Sequence, residues 1–398
     1  MRLIPVIIIF MIMAYVPSGL YSRYIMKKTR SINESVVGAF AIPTFIILTI
    51  IFINRATLVN LIDGRYMIWS LWTFLLIYLP LNIYSFFYII NKIIKLFSQR
   101  TFKSINKIGI VSALIVALIL ILGVVTRHHI QVRETTIYSK NLPSEFNGIR
   151  IVHISDLHLG NLSPQKKYLN KIITTINKNK PNLLVFTGDL LNQTAANANN
   201  IDSLFTKIDA PLGKYAVMGN HDYGDYSKWK TEADKKNNLE ATHKIYKHLG
   251  FTLLNDSSLH IRLGDSQIGI IGVENWGKPP FPRYGDLAEA TKHFHPADFN
   301  ILLSHDPNHW KNEVSIDDRY KYIDLTLSGH THSAQIGFDF NDDCKWSPSQ
   351  WIFEYWDGLY EKEGQHLFIS RGLGYVGIPF RLGMPAEISV ITIMKNEE

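Results

Sequence analysis

Five short polar motifs punctuate this chain, and each begins where an apolar run stops. They are Asp156-Leu157-His158, Gly188-Asp189, Gly219-Asn220-His221-Asp222, Ser304-His305-Asp306-Pro307 and Gly329-His330-Thr331-His332. A short apolar run that closes on glycine or a polar turn has the pattern of a buried strand. Strand ends in a layered sheet domain bring unrelated loops to one point, which side chains of this chemistry need in order to act together.

The segments between the motifs fit that arrangement. Strands are expected over Ile149–Ile154, Asn182–Phe186, Lys214–Met218, Asn300–Leu303 and Tyr322–Leu327, with closing strands over Leu367–Ser370 and Glu387–Ile393. Gly264-Asp265 separates His260–Leu263 from Gln267–Val273 and reads as a hairpin turn. Helices are expected over Pro164–Asn177, where Leu169, Ile172, Ile173 and Ile176 recur at helical spacing, and over Asn199–Ile208 and Leu239–Leu249. The fold class is α/β (α+β), with two sheets and helices outside them.

Asp156 and His158 are two residues apart, so an extended backbone directs both side chains one way, and His330 and His332 repeat the spacing. Gly188 lets the chain turn sharply and bring the Asp189 carboxylate inward. Carboxylate oxygen mixed with imidazole nitrogen suits Mn, Fe, Zn, Co or Ni better than Ca. Two such ions about 3.5–4 Å apart can share a bridging carboxylate, activate water and neutralise phosphate oxygens. A single Asp at a strand end is usually a cap, and a single His is usually packed or solvated. The ordered set carries the reading. His153, His243, His260, His293, His309 and His366 match no motif and are read as structural.

These motifs, in this order over 149–395, resemble the calcineurin-like metallophosphoesterase superfamily. The resemblance implies a four-layer α/β/β/α sandwich and two divalent metal ions, with Mn first and Fe, Zn, Co or Ni as alternatives. It assigns Asp156, His158 and His332 to one ion and Asn220, His305 and His330 to the other, with Asp189 bridging. It makes His221 the acid that protonates the leaving oxygen and Asp222 the group that orients it. Ser370–Gly374 and Arg381–Ile388 are similar to the C-terminal signature of a membrane-anchored bacterial subgroup, among whose relatives are lipid-sugar nucleotide pyrophosphatases. Ser333-Ala334 follows His332 where many relatives have two glycines, and the added side chains would narrow the approach of substrate to the backbone.

The first third of the chain has a different character. Four apolar stretches, Leu3–Leu20, Val36–Ile53, Met67–Ile90 and Ile108–Val125, each have the length of a membrane-crossing helix. Buried core helices are the alternative, but Ile110–Val125 holds no charge at all. The first stretch lacks an A-x-A-like cleavage site, so an uncleaved helix is preferred to a signal peptide. Residues 1–145 hold 15 Lys/Arg against 4 Asp/Glu, and the remainder holds 26 against 30. The basic excess therefore belongs to the membrane part, and no nucleic-acid partner is indicated. Arg23, Lys27, Lys28 and Arg30 mark the first loop, and Lys92, Lys95, Arg100, Lys103 and Lys107 mark the third; both are expected in the cytoplasm. The expected organisation is a four-helix transmembrane region over 1–126, a linker over 127–148 with Gln131–Tyr138 as a possible edge strand, and a catalytic domain over 149–396. That domain is expected outside the cytoplasm of a bacterial cell, on a multi-pass inner-membrane protein. Cys344 is the single cysteine, which excludes an intramolecular disulfide and a cysteine-type zinc site.

Between His332 and Leu367 lies an aromatic-rich insertion with Trp346, Trp351, Phe353, Tyr355, Trp356 and Tyr360. It reads as a lip that meets the bilayer and admits an amphiphilic substrate, or as a small satellite core. Asn275–Tyr284, with three prolines, could form a second rim of the cleft. Arg371 could meet a phosphate or belong to an ion pair. The expected function is a membrane-anchored phosphodiesterase or pyrophosphatase with a phosphoester substrate, lipid-linked or membrane-proximal. A non-catalytic metal-containing receptor or assembly module is the rival reading, and intact His221 argues against it. A transporter is disfavoured because no ionisable residue sits well inside the apolar stretches.

Overall fold

The computed structural model describes residues 3–29, 37–58, 64–162, 166–198, 201, 205–279, 281–341 and 344–396. The chain divides into two compact units, residues 1–125 with 377–379, and residues 126–376 with 380–398.

In the first unit the apolar stretches are helical: α1 (Leu3–Thr29), α2 (Ile42–Leu58, entered through a π-helical turn at Val37–Ala41), α3 (Gly64–Ser98) and α4 (Lys103–Thr126). Two of them, over Arg65–Ser98 and Lys103–Thr126, are long and apolar enough to cross a membrane, and Gly38–Ile53 is shorter. The expectation of four spans is thus corrected to two candidate spans among the described residues. The Gly38–Ile53 apolar run stops at Asn54-Arg55, and as helix it covers about 24 Å, short of a hydrocarbon core of about 30 Å. α1 contains Pro17 and ends in a basic stretch. Ala14, Ile50, Phe74 and Tyr78 form the buried centre of this unit.

The second unit is built on two six-stranded sheets. The first has the order β1 (Ile130–Ser139), β14 (Ala386–Lys395), β2 (Ile149–Ile154), β3 (Leu183–Thr187), β4 (Lys214–Val217) and β5 (Thr252–Leu253). The second has the order β12 (Gly358–Lys362), β13 (Gln365–Ile369), β9 (Leu325–Ser328), β8 (Asn300–Leu303), β7 (Ser266–Gly272) and β6 (Ser257–Leu263). A separate two-stranded sheet joins β10 (Phe338–Asn341) to β11 (Cys344–Trp346).

Strand alternation explains the layering. Ile151, Leu183 and Val185 of the first sheet share one buried core with Ile268, Ile270, Ile301, Leu303, Leu325, Leu327 and Phe368 of the second. The opposite face of the second sheet buries Ile271, Leu302 and Ile369 against Leu287, Ala290, Trp310 and Val314 from helical turns. On the outer face of the first sheet, the Phe186 ring meets Tyr246 of the helix α6 (Glu232–His248) at 5.9 Å. Helix α5 (Lys166–Lys178) buries Leu169, Ile172, Ile173 and Ile176 as their spacing predicts, while residues 163–165 of the expected Pro164–Asn177 lie outside the described residues.

β2, β3 and β4 run parallel, as do β8 and β9, so five carboxyl ends carry the five motifs. The edge strand expected near 131–138 is ten residues long and pairs in parallel with β14. The helix expected over Asn199–Ile208 is not continuous: 3-10 turns stand at Ala195–Ala198 and Phe205–Lys207, and 199, 200 and 202–204 lie outside the described residues. α6 starts earlier than Leu239, because Thr231 and Asp234 form a reciprocal capping box.

Candidate metal centre

Four of the five loops are joined in pairs before any side chain is considered. The Asp156 amide donates to the Gly188 carbonyl at 2.9 Å, the His158 amide to Asp189 at 3.1 Å, and the Gly329 amide to His305 at 3.0 Å. The turns are tight enough that Asp156, His158, Asp189, His330 and His332 all take positive φ, between 47° and 71°. A non-glycine residue there costs of order 1–3 kcal/mol, which the surrounding structure must offset. Gly329 is needed for closeness: a Cβ there would sit 2.0 Å from Ser155 Oγ and 2.3 Å from Asp156 Oδ2.

The side chains converge on one another. His158 Nε2 lies 3.0 Å from His332 Nε2, and His332 Nε2 lies 3.2 Å from Asp156 Oδ1. Asp189 Oδ2 lies 3.7 Å from His158 Nε2 and 3.2 Å from His305 Nε2, which is 3.2 Å from His330 Nδ1. Three clusters have ligand atoms within 4.8 Å: Asp156–His158–His332, Asp189–His305–His330 and His158–Asp189–His221. Asp189 belongs to two of them, as a shared carboxylate must. Asn220 is buried with its Oδ1 free of any hydrogen bond, while its Nδ2 donates to Tyr226 Oη at 2.8 Å. An orphaned buried carbonyl beside converging imidazoles and carboxylates fits cations of the type that take mixed N and O ligands.

Electrostatics divide the imidazoles: burial works to lower His305, yet the Asp189 charge outweighs it and raises it to about 10. Burial works to raise the Asp189 carboxyl, yet the His305 and His221 charges outweigh it and hold Asp189 well below the usual range. Burial lowers the His158 imidazole to about 3, with His221 adding to the effect, so His158 is neutral, the form that binds metal. His305 Nδ1 donates to the Thr187 carbonyl at 2.6 Å, which turns Nε2 toward Asp189.

All nine residues singled out from the sequence meet here, but one role is corrected. Asp222 does not orient His221. Its carboxylate accepts from the Gly219, Asp189 and Leu191 amides at 2.9–3.0 Å, from Leu190 at 3.4 Å and from Tyr246 Oη at 2.8 Å. It is buried beneath two ligand loops and holds them together. His221 is oriented instead by the Asn192 carbonyl, which accepts from Nδ1 at 2.7 Å.

Sequence reading missed Asn192, Tyr226 and Phe281 as individual residues, and named Phe353 only as part of the aromatic insertion. Tyr226 packs on His221 with ring centroids 4.5 Å apart, and Phe281 and Phe353 stand edge-on to His330 at 4.6 and 5.5 Å. Phe281 lies in the proline-rich loop and Phe353 in the aromatic insertion, the two segments expected to rim the cleft. Arg371 is buried in an ion-pair network with Asp357 at 2.6 Å, Glu387 at 3.6 Å and Asp339. The ion-pair reading of Arg371 therefore holds. His153 and His309 are structural, bonded to Thr187 Oγ1 at 2.8 Å and Ser304 Oγ at 2.9 Å.

The calcineurin-like phosphoesterase family model matches residues 149–334. The uncharacterized metallophosphoesterase YkuE of Bacillus subtilis is 32% identical over 275 residues, 67% of this chain and 86% of its own. An uncharacterized metallophosphoesterase of Helicobacter pylori is 27% identical over 335 residues, 82% of this chain and 80% of its own. A bovine transmembrane protein with metallophosphoesterase domain is 30% identical over 258 residues, 63% of this chain and 54% of its own. The chain belongs to the calcineurin-like metallophosphoesterases, and its reaction class is phosphoric ester hydrolysis.

Proposed function

We propose that the second unit cleaves a phosphodiester or pyrophosphate. In this reading Asp156, His158 and His332 would hold one divalent ion and Asn220, His305 and His330 a second, with Asp189 available to both. The observation that carries it is Asp189, which stands in one cluster with His158 and His221 and in another with His305 and His330, beside the unpartnered Asn220 Oδ1. When bound, the metal pair supplies an activated water and positive charge for the phosphate oxygens, with manganese favoured over iron, zinc, cobalt or nickel.

The protein's own groups set the geometry. Thr187 and Asn192 carbonyls fix the tautomers of His305 and His221 through their Nδ1 protons. With Nδ1 so engaged, His221 has Nε2 to offer as the acid that protonates the leaving oxygen. Asp222 keeps the two loops that carry Asp189 and Asn220 in register. Phe281 and Phe353 limit water on the His330 side.

The N-terminal apolar helices support a membrane-anchored enzyme, and the bovine relative named as transmembrane adds to that. The basic residues between and around α3 and α4 favour an extracytoplasmic catalytic unit. A lipid-linked or membrane-proximal substrate follows from such anchoring. The test is hydrolysis by the full chain in nanodiscs with Mn²⁺, offered bis-p-nitrophenyl phosphate, a monoester and a lipid pyrophosphate. Metal-dependent turnover, lost in Asp189→Asn and His221→Ala, is expected. Tight metal binding with no turnover of any of the three would contradict the catalytic reading and favour a binding module.

A further inference from the structure

Among the described residues of 126–396, the three most exposed large apolar side chains are Phe340 at 79%, Ile352 at 75% and Trp351 at 73%. They are not scattered. Phe340 stacks on Phe338 at 5.6 Å, Phe338 on Trp346 at 5.9 Å, and Trp346 meets Trp351 edge-on at 5.7 Å. Ile352 follows, and then Phe353, whose ring stands 5.5 Å from His330 of the candidate metal centre. The β10–β11 sheet that carries the outer part belongs to neither large sheet, so these rings are not spent on the main core. An exposed apolar patch of this kind marks a surface that meets an apolar partner.

We propose that this face binds the apolar part of an amphiphilic phosphoester whose phosphate is held at the paired clusters. The inference rests on the phosphoesterase reading above and deepens it to a substrate class. The path selects the occupant. Ring contacts join Phe340 to Trp351, and the chain then passes through Ile352 to Phe353 against His330, so an occupant of this face lies next to the group at that histidine. A second copy of the chain or a flat membrane surface would cover Phe340 and Trp351 without any need for Phe353 at the inner end. A substrate tail uses the whole path.

The test uses full-length protein in nanodiscs and a series of n-alkylphosphonates from methyl to octyl, below their self-association concentrations. Heats of binding are taken with and without Mn²⁺, so that partition into lipid is subtracted. Affinity is expected to rise about fourfold per methylene that the rings cover. Trp351→Ser and Ile352→Ser should flatten that dependence, whereas Ile316→Ser, another exposed residue of this unit, should keep the wild-type slope. Cys344, the single cysteine, is exposed in β11 and gives a second readout. A polarity-sensitive thiol dye there should shift to the blue with octylphosphonate and not with methylphosphonate. Methylphosphonate binding with no dependence on chain length would overturn this inference alone. A slope unchanged in both serine variants, or a blue shift that tracks protein concentration without phosphonate, would also overturn it. Failure of methylphosphonate itself to bind would remove the phosphate site and this inference with it.

Discussion

Tyr226 and Asp222 carry the sharpest residue-scale expectations, because each acts on the site through another group. Tyr226 fixes which end of the Asn220 amide faces the cluster, by accepting from Nδ2. Tyr226→Phe should weaken binding at the second ion about 10-fold while leaving the first near wild type, as loss of a ligand's hydrogen-bond partner typically does. Titration calorimetry with Mn²⁺ reads both sites. Equal weakening at both would contradict the assignment. Asp222→Asn replaces an acceptor with an N–H donor against buried backbone amides. It should destabilise the fold by about 2–4 kcal/mol, measured by urea unfolding. An activity loss with unchanged stability would restore the expected role in orienting His221.

At the scale of elements, the ion-pair network ties β1, β10, β14 and the root of the aromatic insertion together. Arg133 bonds Asp357 at 3.1 Å and lies 3.6 Å from Glu387, while Arg371 reaches Asp357, Glu387 and Asp339. Removing one cation leaves buried carboxylates uncompensated. Arg371→Met should cost about 3–5 kcal/mol in urea unfolding. An Arg371→Met variant with full stability and a large rise in KM would instead mark Arg371 as a phosphate ligand. Asp324, at the other end of the second sheet, gives a pH test. Burial raises its carboxyl to about 6, against partial relief from the Asn300 amide. Its folded pKa lies above the unfolded one, so native protein holds that proton more tightly, and the group's contribution falls as pH rises from about 4 through 6. Asp324→Asn should therefore gain about 2 kcal/mol on wild type between pH 4.5 and pH 7. A difference that does not change with pH would contradict the shift.

These elements also show where the sequence was informative. The parallel strands ending in β2, β3, β4, β8 and β9 were readable because an apolar run and its terminal motif mark the same point. The edge strand β1 was half-visible, since its alternation is diluted by Arg133, Glu134 and two threonines. β10, β11 and β12 were missed: their aromatics suggested an insertion, although each pairs with its immediate neighbour in a local antiparallel hairpin. Asn192 acts through a backbone carbonyl, and Phe281 and Phe353 act through ring edges. Such contributions leave no spacing rule to read.

On the scale of the whole molecule, metal binding and folding are coupled. Two buried carboxylates and several imidazoles face each other at 3.0–3.7 Å, so the second unit should gain stability when cations fill the gap. Chelation is expected to lower the melting temperature of the second unit, and Mn²⁺ to restore it. An unchanged melting temperature would mean that the loops hold their positive-φ turns without help. The full chain is the form to study, because a fragment beginning within β1 would cut the strand that carries Arg133.

The measurement that bears most directly on the central claim is metal stoichiometry in the purified full chain, by elemental analysis, for wild type and Asp189→Asn. Two divalent ions per chain in wild type, with both sites depleted by the single substitution, is the predicted result, because the Asp189 carboxylate lies against His158 of one set and against His305 of the other. One ion per chain, or two ions undiminished in Asp189→Asn, would contradict a paired centre built on Asp189.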